Sequence, residues 1–394
     1  RLVPGGFQAR DLTDTLAGFK RPSLAARPPL AFGPRRRHPS PMIAPEPPVR
    51  DVAPAHRFDE GRLAAWLADR VEGVGRGLQV RQFQGGASNP TFLLTAANGA
   101  RYVLRKKPPG ALLASAHQVD REFRVMSALA STEVPVPTMR ALCTDEAVIG
   151  TAFYVMDYLP GRIFRDARLP GLSRAERAEV YDQLNLTLAR LHAVDPASVG
   201  LADYGRPGGY FERQVARWTR QYRGAETEPI PAMETLMAEL PARIPADDAV
   251  TIAHGDYRLE NVMFAPDAPR LIAVLDWELS TLGHPMADLA YNAFLWRSHG
   301  ESWGTLDGVD LAASGIPSEA AYRDRYLERT GRGPVSEANW AFYMAFSVFR
   351  LASISQGVYR RTLDGVLASD RPAVNGTAAL AAQALDILHG GSGR

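Results

Sequence analysis

The stretch IAHGDYRLENVMF (252–264), followed by LIAVLDWE (271–278), decides how this chain is read. Its apolar runs flank a turn at Ala265–Pro269, so the spacing predicts a hairpin. Asp256 and, five residues on, Asn261 lie on the loop that enters this hairpin, and Asp276 ends its second strand. The hairpin therefore returns Asp276 to the side of the other two. Phosphoryl transfer to a hydroxyl needs a set of this kind. One carboxylate orients the attacking hydroxyl and accepts its proton, while an amide oxygen and a second carboxylate hold a divalent cation against the phosphates.

Upstream, Leu63, Trp66, Leu67 and Val71 follow helical spacing, so order is expected to begin near Phe58. The runs LQVRQF (78–83), TFLLTA (91–96) and RYVLRK (101–106) are short, β-rich and separated by Gly- or Asn-containing turns, which predicts a meander. A helix is expected over 116–130 and a strand in TAFYVMDYL (151–159). Beyond that the chain turns helical. Ser173 and Glu176 form a capping box ahead of a long helix ending near His192. The predicted architecture is α+β and bilobal. A β-rich lobe over 56–158 precedes a helical lobe over 159–390, and residues 1–55 form a disordered Pro-rich leader.

The order Asp, Asn, hairpin, Asp matches the layout of protein kinases, and the form HGDYRLEN resembles the aminoglycoside phosphotransferase and choline kinase superfamily. VLDWELSTLGHPMADLAY (274–291), YVLRKKPPG (102–110), VDREFRVMSAL (119–129) and FYVMDYLPGRIF (153–164) resemble a narrower branch. That branch is the kinase-like domain of certain acyl-CoA dehydrogenase family proteins. The resemblance implies a kinase-like fold using ATP and Mg²⁺. It implies that Asp256 is the catalytic base, that Asn261 and Asp276 are metal ligands, and that His254 braces the loop. Asp288 is implied as a buried carboxylate on the loop amides. Glu278 is open between metal or substrate contact and a capping role.

The nucleotide side is read partly from residue pattern. QGGASNPTF (84–92) joins two strands, and its small residues let backbone N–H groups approach phosphates. Ser88 and Asn89 are the candidate polar contacts, against the alternative of a plain hairpin. The fold calls for a cation on the third strand, paired with a helix carboxylate. Only three lysines occur, Lys20, Lys106 and Lys107. Strand alternation puts Val103 and Arg105 on one face and Lys106 on the other. The resemblance, with YVLR aligned to the family's strand pattern, implies Arg105 for the phosphates, with Lys106 as the alternative and Glu122 as the partner. YVMDYLPG (154–161) resembles the hinge between lobes, with Met156 lining an adenine pocket and backbone groups of Asp157 and Leu159 meeting the base. GVGRG (73–77) lacks the strand before and helix after that a dinucleotide fingerprint needs. No G-K-[ST] occurs, which removes a Walker A loop.

Composition bounds the rest. The chain has 394 residues, net charge +2 and one cysteine, Cys143, so an internal disulfide and a Cys-cluster zinc site are excluded. Residues 1–50 carry nine basic and three acidic side chains, and the remainder carries 36 basic and 40 acidic. The basic character thus belongs to the leader, which is read as vestigial sequence, a disordered tail or a transit peptide. No nucleic-acid or membrane partner is expected. The single cysteine fits a reducing, cytoplasmic setting. The partner is a small-molecule hydroxyl acceptor. Residues 295–394 balance ten acidic with ten basic side chains, which argues against a polycationic antibiotic. FRLASISQGVYRR (349–361) places Arg350, Gln356, Tyr359 and Arg360 on helical ground; the resemblance implies that this segment lines the acceptor site and that the acceptor is anionic, such as a hydroxy acid or hydroxyacyl-CoA. The alternatives are a catalytically silent nucleotide-binding pseudokinase and an aminoglycoside phosphotransferase.

Overall fold

Strand β2 (Leu78–Phe83), β3 (Thr91–Ala96) and β4 (Arg101–Lys106) form the antiparallel meander expected from their short β-rich runs. The computed structural model describes residues 48–84, 89–108, 118–299, 304–365 and 374–393. Residues 1–47 and Ser88 lie outside them. The meander sits in a six-stranded sheet with β1 (Val49–Arg50), β5 (Met139–Cys143) and β6 (Phe153–Asp157), in the order β1-β2-β3-β4-β6-β5. Strand β1 corrects the leader boundary. Val49 and Arg50 pair with Phe83 and Gln82 at the sheet edge, and the Ala53 amide is held by Gln82. A two-residue edge strand has too few positions to show alternation.

One face of the sheet buries Phe92, Leu94, Leu104, Phe153 and Val155 against Leu63 and Leu67 of helix α1 (Glu60–Leu67). Helix α2 (Val119–Leu129) packs beside β5 and β6 and buries Val119, Val125, Met126 and Leu129. Past β6 the chain is mainly helical. Helix α3 (Arg174–Ala193) starts at the Ser173–Glu176 capping box, with both reciprocal hydrogen bonds made. Helices α4 (Tyr210–Ala225) and α5 (Pro231–Glu239) follow. Four short strands come next: β7 (Thr251–Ala253), β8 (Val262–Phe264), β9 (Leu271–Val274) and β10 (Thr281–Gly283). Helices α6 (Pro285–Ala293), α7 (Leu311–Ser314), α8 (Glu319–Thr330), α9 (Glu337–Leu363) and α10 (Thr377–Leu388) complete the second lobe. The long, aromatic-rich α9 runs against α4, α6 and α10 and is buried from Phe342 to Ser353. Among the described residues no helix is long and apolar enough to cross a membrane.

The two small β pairs position the site. Strands β8 and β9 form the expected hairpin, with Val262 opposite Val274. Strand β7 pairs with β10, so the polypeptide returns beside itself just before His254 and just after Ser280.

Candidate active site

The loop after β7 is held from behind by one buried carboxylate. Asp288, on α6, is 1% exposed, and its oxygens accept the backbone N–H groups of His254 (2.6 Å) and Gly255 (2.8 Å). The His192 ring approaches the same carboxylate at 3.2 Å, and its other nitrogen meets the Tyr326 hydroxyl at 2.5 Å. Burial by itself would raise the Asp288 carboxyl, but the His192 ring and the Gly255 amide outweigh it and hold it below the ordinary range. Burial lowers the His192 pKa and keeps that ring neutral.

His254 ties this loop to the strand opposite. Its Nε2 lies 2.8 Å from the Leu275 carbonyl, which can only accept, so Nε2 carries the proton. Nδ1 is then the acceptor for the Asp256 N–H at 3.2 Å. Gly255 has φ +83°, and a Cβ there would stand 2.6 Å from the Leu279 carbonyl oxygen. The turn therefore requires glycine on both counts.

Asp256 emerges from this brace. Asn261 Nδ2 donates to its carbonyl (2.9 Å) and to its carboxylate (2.7 Å). With the amide nitrogen engaged, Oδ1 is the oxygen that the Asn261 side chain has to offer a cation. The Asn261 carbonyl accepts the Leu275 N–H at 2.8 Å, which sets the start of the hairpin beside its end. Asp276 follows in the left-handed region, φ 63° and ψ 63°. Among the described residues, only Leu169 shares a positive φ without being glycine. Such strain is kept where surrounding contacts over-determine the backbone. Trp277 contributes, its ring packed at a tilt of 57° against His254 with centroids 4.7 Å apart.

Arg105 closes the site from the sheet. Its guanidinium meets Glu122 at 3.1 Å, Asp276 at 2.8 Å and Glu278 at 3.5 Å, linking the two lobes through one cation. Burial opposes its charge, but Tyr154, Glu122, Asp276 and Glu278 more than offset this and keep it protonated. Glu122 is 1% exposed, a buried carboxylate. It accepts from the Tyr154 hydroxyl (2.9 Å) and Asn89 Nδ2 (2.8 Å), and burial raises its carboxyl against the pull of Arg105.

Two expected contacts are placed differently, and a third, Asp157, has its N–H already engaged. Lys106 points to the opposite face of β4, where its ammonium sits 5.5 Å from the Phe58 ring centre and 5.9 Å from that of Phe92. It is 4% exposed and burial lowers its pKa, so it lies in the first lobe's apolar core, away from Asp276. Asn89 is buried with its amide turned inward to Glu122, because the end of the loop before β3 folds back over α2. The Asp157 N–H is taken by the Thr138 carbonyl at 2.9 Å, and its carboxylate pairs with Arg140 at 2.6 Å. Met156 is half-buried opposite Val103, on the Arg105 side of the sheet, and Leu159 is half-buried just past β6.

The acceptor side holds residues that the sequence reading passed over. Tyr291 of α6 hydrogen-bonds Asp256, and burial together with that carboxylate raises its pKa. Arg258 Nε stands 3.7 Å from Asp256. Both line a cavity of about 50 Å³ with Glu260, Leu295 and Leu351. Tyr291 lies three residues past Asp288, one helical turn along, and that spacing was the available signal. Of the α9 candidates, Gln356 is committed to the Ala225 carbonyl and Thr227, and Arg360 pairs with Asp364. Arg350 alone is buried toward the site, with its guanidinium 5.1 Å from the Tyr291 ring centre and 5.5 Å from that of Trp218.

The donor set suits a hard cation. Among the described residues no cluster of three His, Cys, Asp or Glu side chains could hold a metal alone. Asn261 Oδ1 and the Asp276 carboxylate supply oxygen only, which fits Mg²⁺, an ion that keeps waters and takes further ligands from phosphate.

Comparison with known proteins agrees with this geometry. Residues 79–344 match the family described as APH, the phosphotransferase enzyme family. The chain is 47% identical over 295 residues to acyl-CoA dehydrogenase family member 10 of Mus musculus, covering 74% of this chain and 27% of that protein. It is 44% identical over 325 residues to family member 11 of Homo sapiens, covering 81% of this chain and 41% of that protein. The chain therefore spans less than half the length of these relatives. A solved structure from Ralstonia eutropha JMP134, provisionally called an aminoglycoside phosphotransferase, superposes with a TM-score of 0.78 at 48% identity. It covers 85% of this chain and 99% of its own. Aminoglycoside phosphotransferase APH(4)-Ia, solved in ternary complex with AMP-PNP and hygromycin B, shares the fold at 17% identity and a TM-score of 0.53. On the extent of these matches, this chain belongs to the phosphotransferase enzyme family.

Proposed function

We propose that the protein transfers the γ-phosphoryl group of ATP, with Mg²⁺, to a hydroxyl of a small molecule of the hydroxy acid or hydroxyacyl-CoA class. The observation that carries this reading is the convergence of Asp256, Asn261, Asp276 and Arg105 on one cleft between the lobes. A silent nucleotide-binding module has no use for an oriented base, and here Asn261 fixes the Asp256 carboxylate in place. Relatives of the acyl-CoA dehydrogenase type support the acceptor class, and a distant fold neighbour holding an ATP analogue supports the donor.

In this reading Asp256 accepts the acceptor hydroxyl proton as the oxygen attacks the γ-phosphorus. The bond from that phosphorus to the β–γ bridging oxygen breaks, and its electron pair leaves with ADP. Asn261 and Asp276 would hold Mg²⁺, which neutralises charge on the phosphate oxygens when bound. Arg105, held by Glu122, offers its guanidinium to the phosphates, and it reaches them differently from a lysine. Met156 lines the adenine side. The Asp157 N–H is engaged, so Asp157 would meet the base through its carbonyl and Leu159 through its N–H. Ser88, which lies outside the described residues, is a further candidate polar contact for the phosphates. Positioning and fixed charge supply the catalysis.

The test is ADP release from Mg-ATP across a panel of hydroxy acids, hydroxyacyl-CoAs and aminoglycosides. Asp256→Ala should lower kcat by about 10²- to 10⁴-fold, the usual share of a general base, with nucleotide affinity retained. An Asp256→Ala protein as active as the parent, or a parent that binds nucleotide and phosphorylates nothing in the panel, refutes the reading.

A further inference from the structure

A buried arginine without a carboxylate is costly, because a desolvated charge is tolerated only when paired. Arg350 is 8% exposed, and its Nε has no surface and no hydrogen-bond partner among the described residues. Its guanidinium lies between two aromatic faces, Trp218 and Tyr291. Arg350 acts electrostatically on Tyr210, Tyr291 and Arg217, none of which is a carboxylate. Arg217 adds to the positive field instead of relieving it: burial and the neighbouring charge of Arg350 both lower its pKa. Arg258, by contrast, is paired with Glu260 at 2.7 Å. Arg350 is thus a buried cation near the site whose Nε has no hydrogen-bond partner and for which no carboxylate ion pair is found among the described residues.

Its place relative to the chemistry follows from Tyr291. That side chain hydrogen-bonds Asp256 at one end and receives Arg350 over its ring. One ring and one hydrogen bond put the guanidinium within about 11 Å of the Asp256 carboxylate. We propose that Arg350 is a specificity-determining residue that binds an oxyanion of the acceptor while the acceptor hydroxyl sits on Asp256. The inference rests on the kinase reading above and goes past it by naming the residue and the separation. A hydroxyl and an oxyanion held at these two ends are joined by a short chain, about two to four carbons. A free carboxylate fits that span, and the phosphates of a CoA thioester are the other source of the same chemistry.

The experiment compares hydroxycarboxylates of two to six carbons with their primary amides and with their CoA thioesters, in the parent and in Arg350→Met. A lost charge-assisted contact is worth about 10- to 150-fold. In the variant, the kcat/KM ratio of carboxylate to amide should fall by that factor, through KM. A matching loss confined to the thioesters would assign the oxyanion to phosphate. If amides lose as much as both anionic series, Arg350 only supports the fold and the proposal is overturned. Circular dichroism checks folding. If the Met variant does not fold, Arg350→Lys keeps the charge but not the planar fork, and it should still reduce the ratio. If the parent turns over no acceptor, the kinase reading fails by itself. Calorimetric binding of butanoate and of CoA then decides this inference, which stands only if Arg350→Met removes binding of one of them.

Discussion

Removing the Asp288 carboxylate should cost the protein a large part of its stability and specifically loosen the loop that carries Asp256. In Asp288→Ala, the N–H groups of His254 and Gly255 lose acceptors at 2.6 and 2.8 Å, and the His192 ring loses its partner at 3.2 Å. All three donors lie in a region where Asp288 itself is 1% exposed, so water does not readily replace it. An unsatisfied buried donor costs about 1–3 kcal/mol. Two stranded amides then amount to roughly 2–6 kcal/mol, a substantial fraction of a typical total of about 5–15 kcal/mol. Asp288→Asn keeps the shape and one acceptor oxygen, but it turns an NH₂ toward a backbone N–H. It should lose roughly half as much. Urea unfolding gives the global loss, and hydrogen exchange at the Gly255 amide gives the local one. Under the proposed function nucleotide affinity, assigned there mainly to the sheet lobe, should change less than kcat. An Ala variant that loses under about 1 kcal/mol while the Gly255 amide stays protected would refute the idea that Asp288 holds the loop.

Lys106→Met should leave nucleotide affinity within about twofold and stability neutral or slightly raised, since it replaces a desolvated ammonium between Phe58 and Phe92 by a chain of similar volume. Arg105→Met should weaken nucleotide binding at least about tenfold, the value of a charge-assisted contact; equal losses from both variants would contradict the placement of Lys106. Gly255→Ala should destabilise by about 2 kcal/mol or more, because φ is +83° and the added Cβ meets the Leu279 carbonyl, as urea unfolding would register. Stability should also fall as pH drops from 7 to 5. Burial lowers His284 to about 4, below the unfolded value of about 6.5, so in that window only the unfolded chain takes up the proton. The contribution is intact above pH 6.5 and declines by roughly 1–2 kcal/mol at pH 5. His284→Asn, which keeps an acceptor for the Met286 amide at the start of α6, should flatten that slope in pH-dependent unfolding.

The parts of the site legible in the sequence are those whose geometry is local. Asp256 and Asn261 are five residues apart, and a short loop of that length can do little but present both on one side. The β8–β9 hairpin then returns Asp276 by its own pairing. Alternation along β4 similarly separated Arg105 from Lys106, because successive side chains in a strand face opposite ways. Helix α3 announced itself through its capping box for the same reason.

Tertiary packing decided the rest. Asn89 turning to Glu122, the Asp157 N–H going to Thr138, and Tyr154 supporting Glu122 each join segments brought together by sheet order, and no spacing rule reports them. The edge strand at Val49–Arg50 exists only because β2 offers it unpaired groups. Asp288 serves two amides more than thirty residues upstream. Arg350 faces Tyr291 because α9 packs on α6. The amino-acid sequence by itself determined the family of chemistry, since a reactive loop is encoded by near neighbours. Which charges are paired and which are left for a ligand depends on burial, and burial is a property of the whole fold.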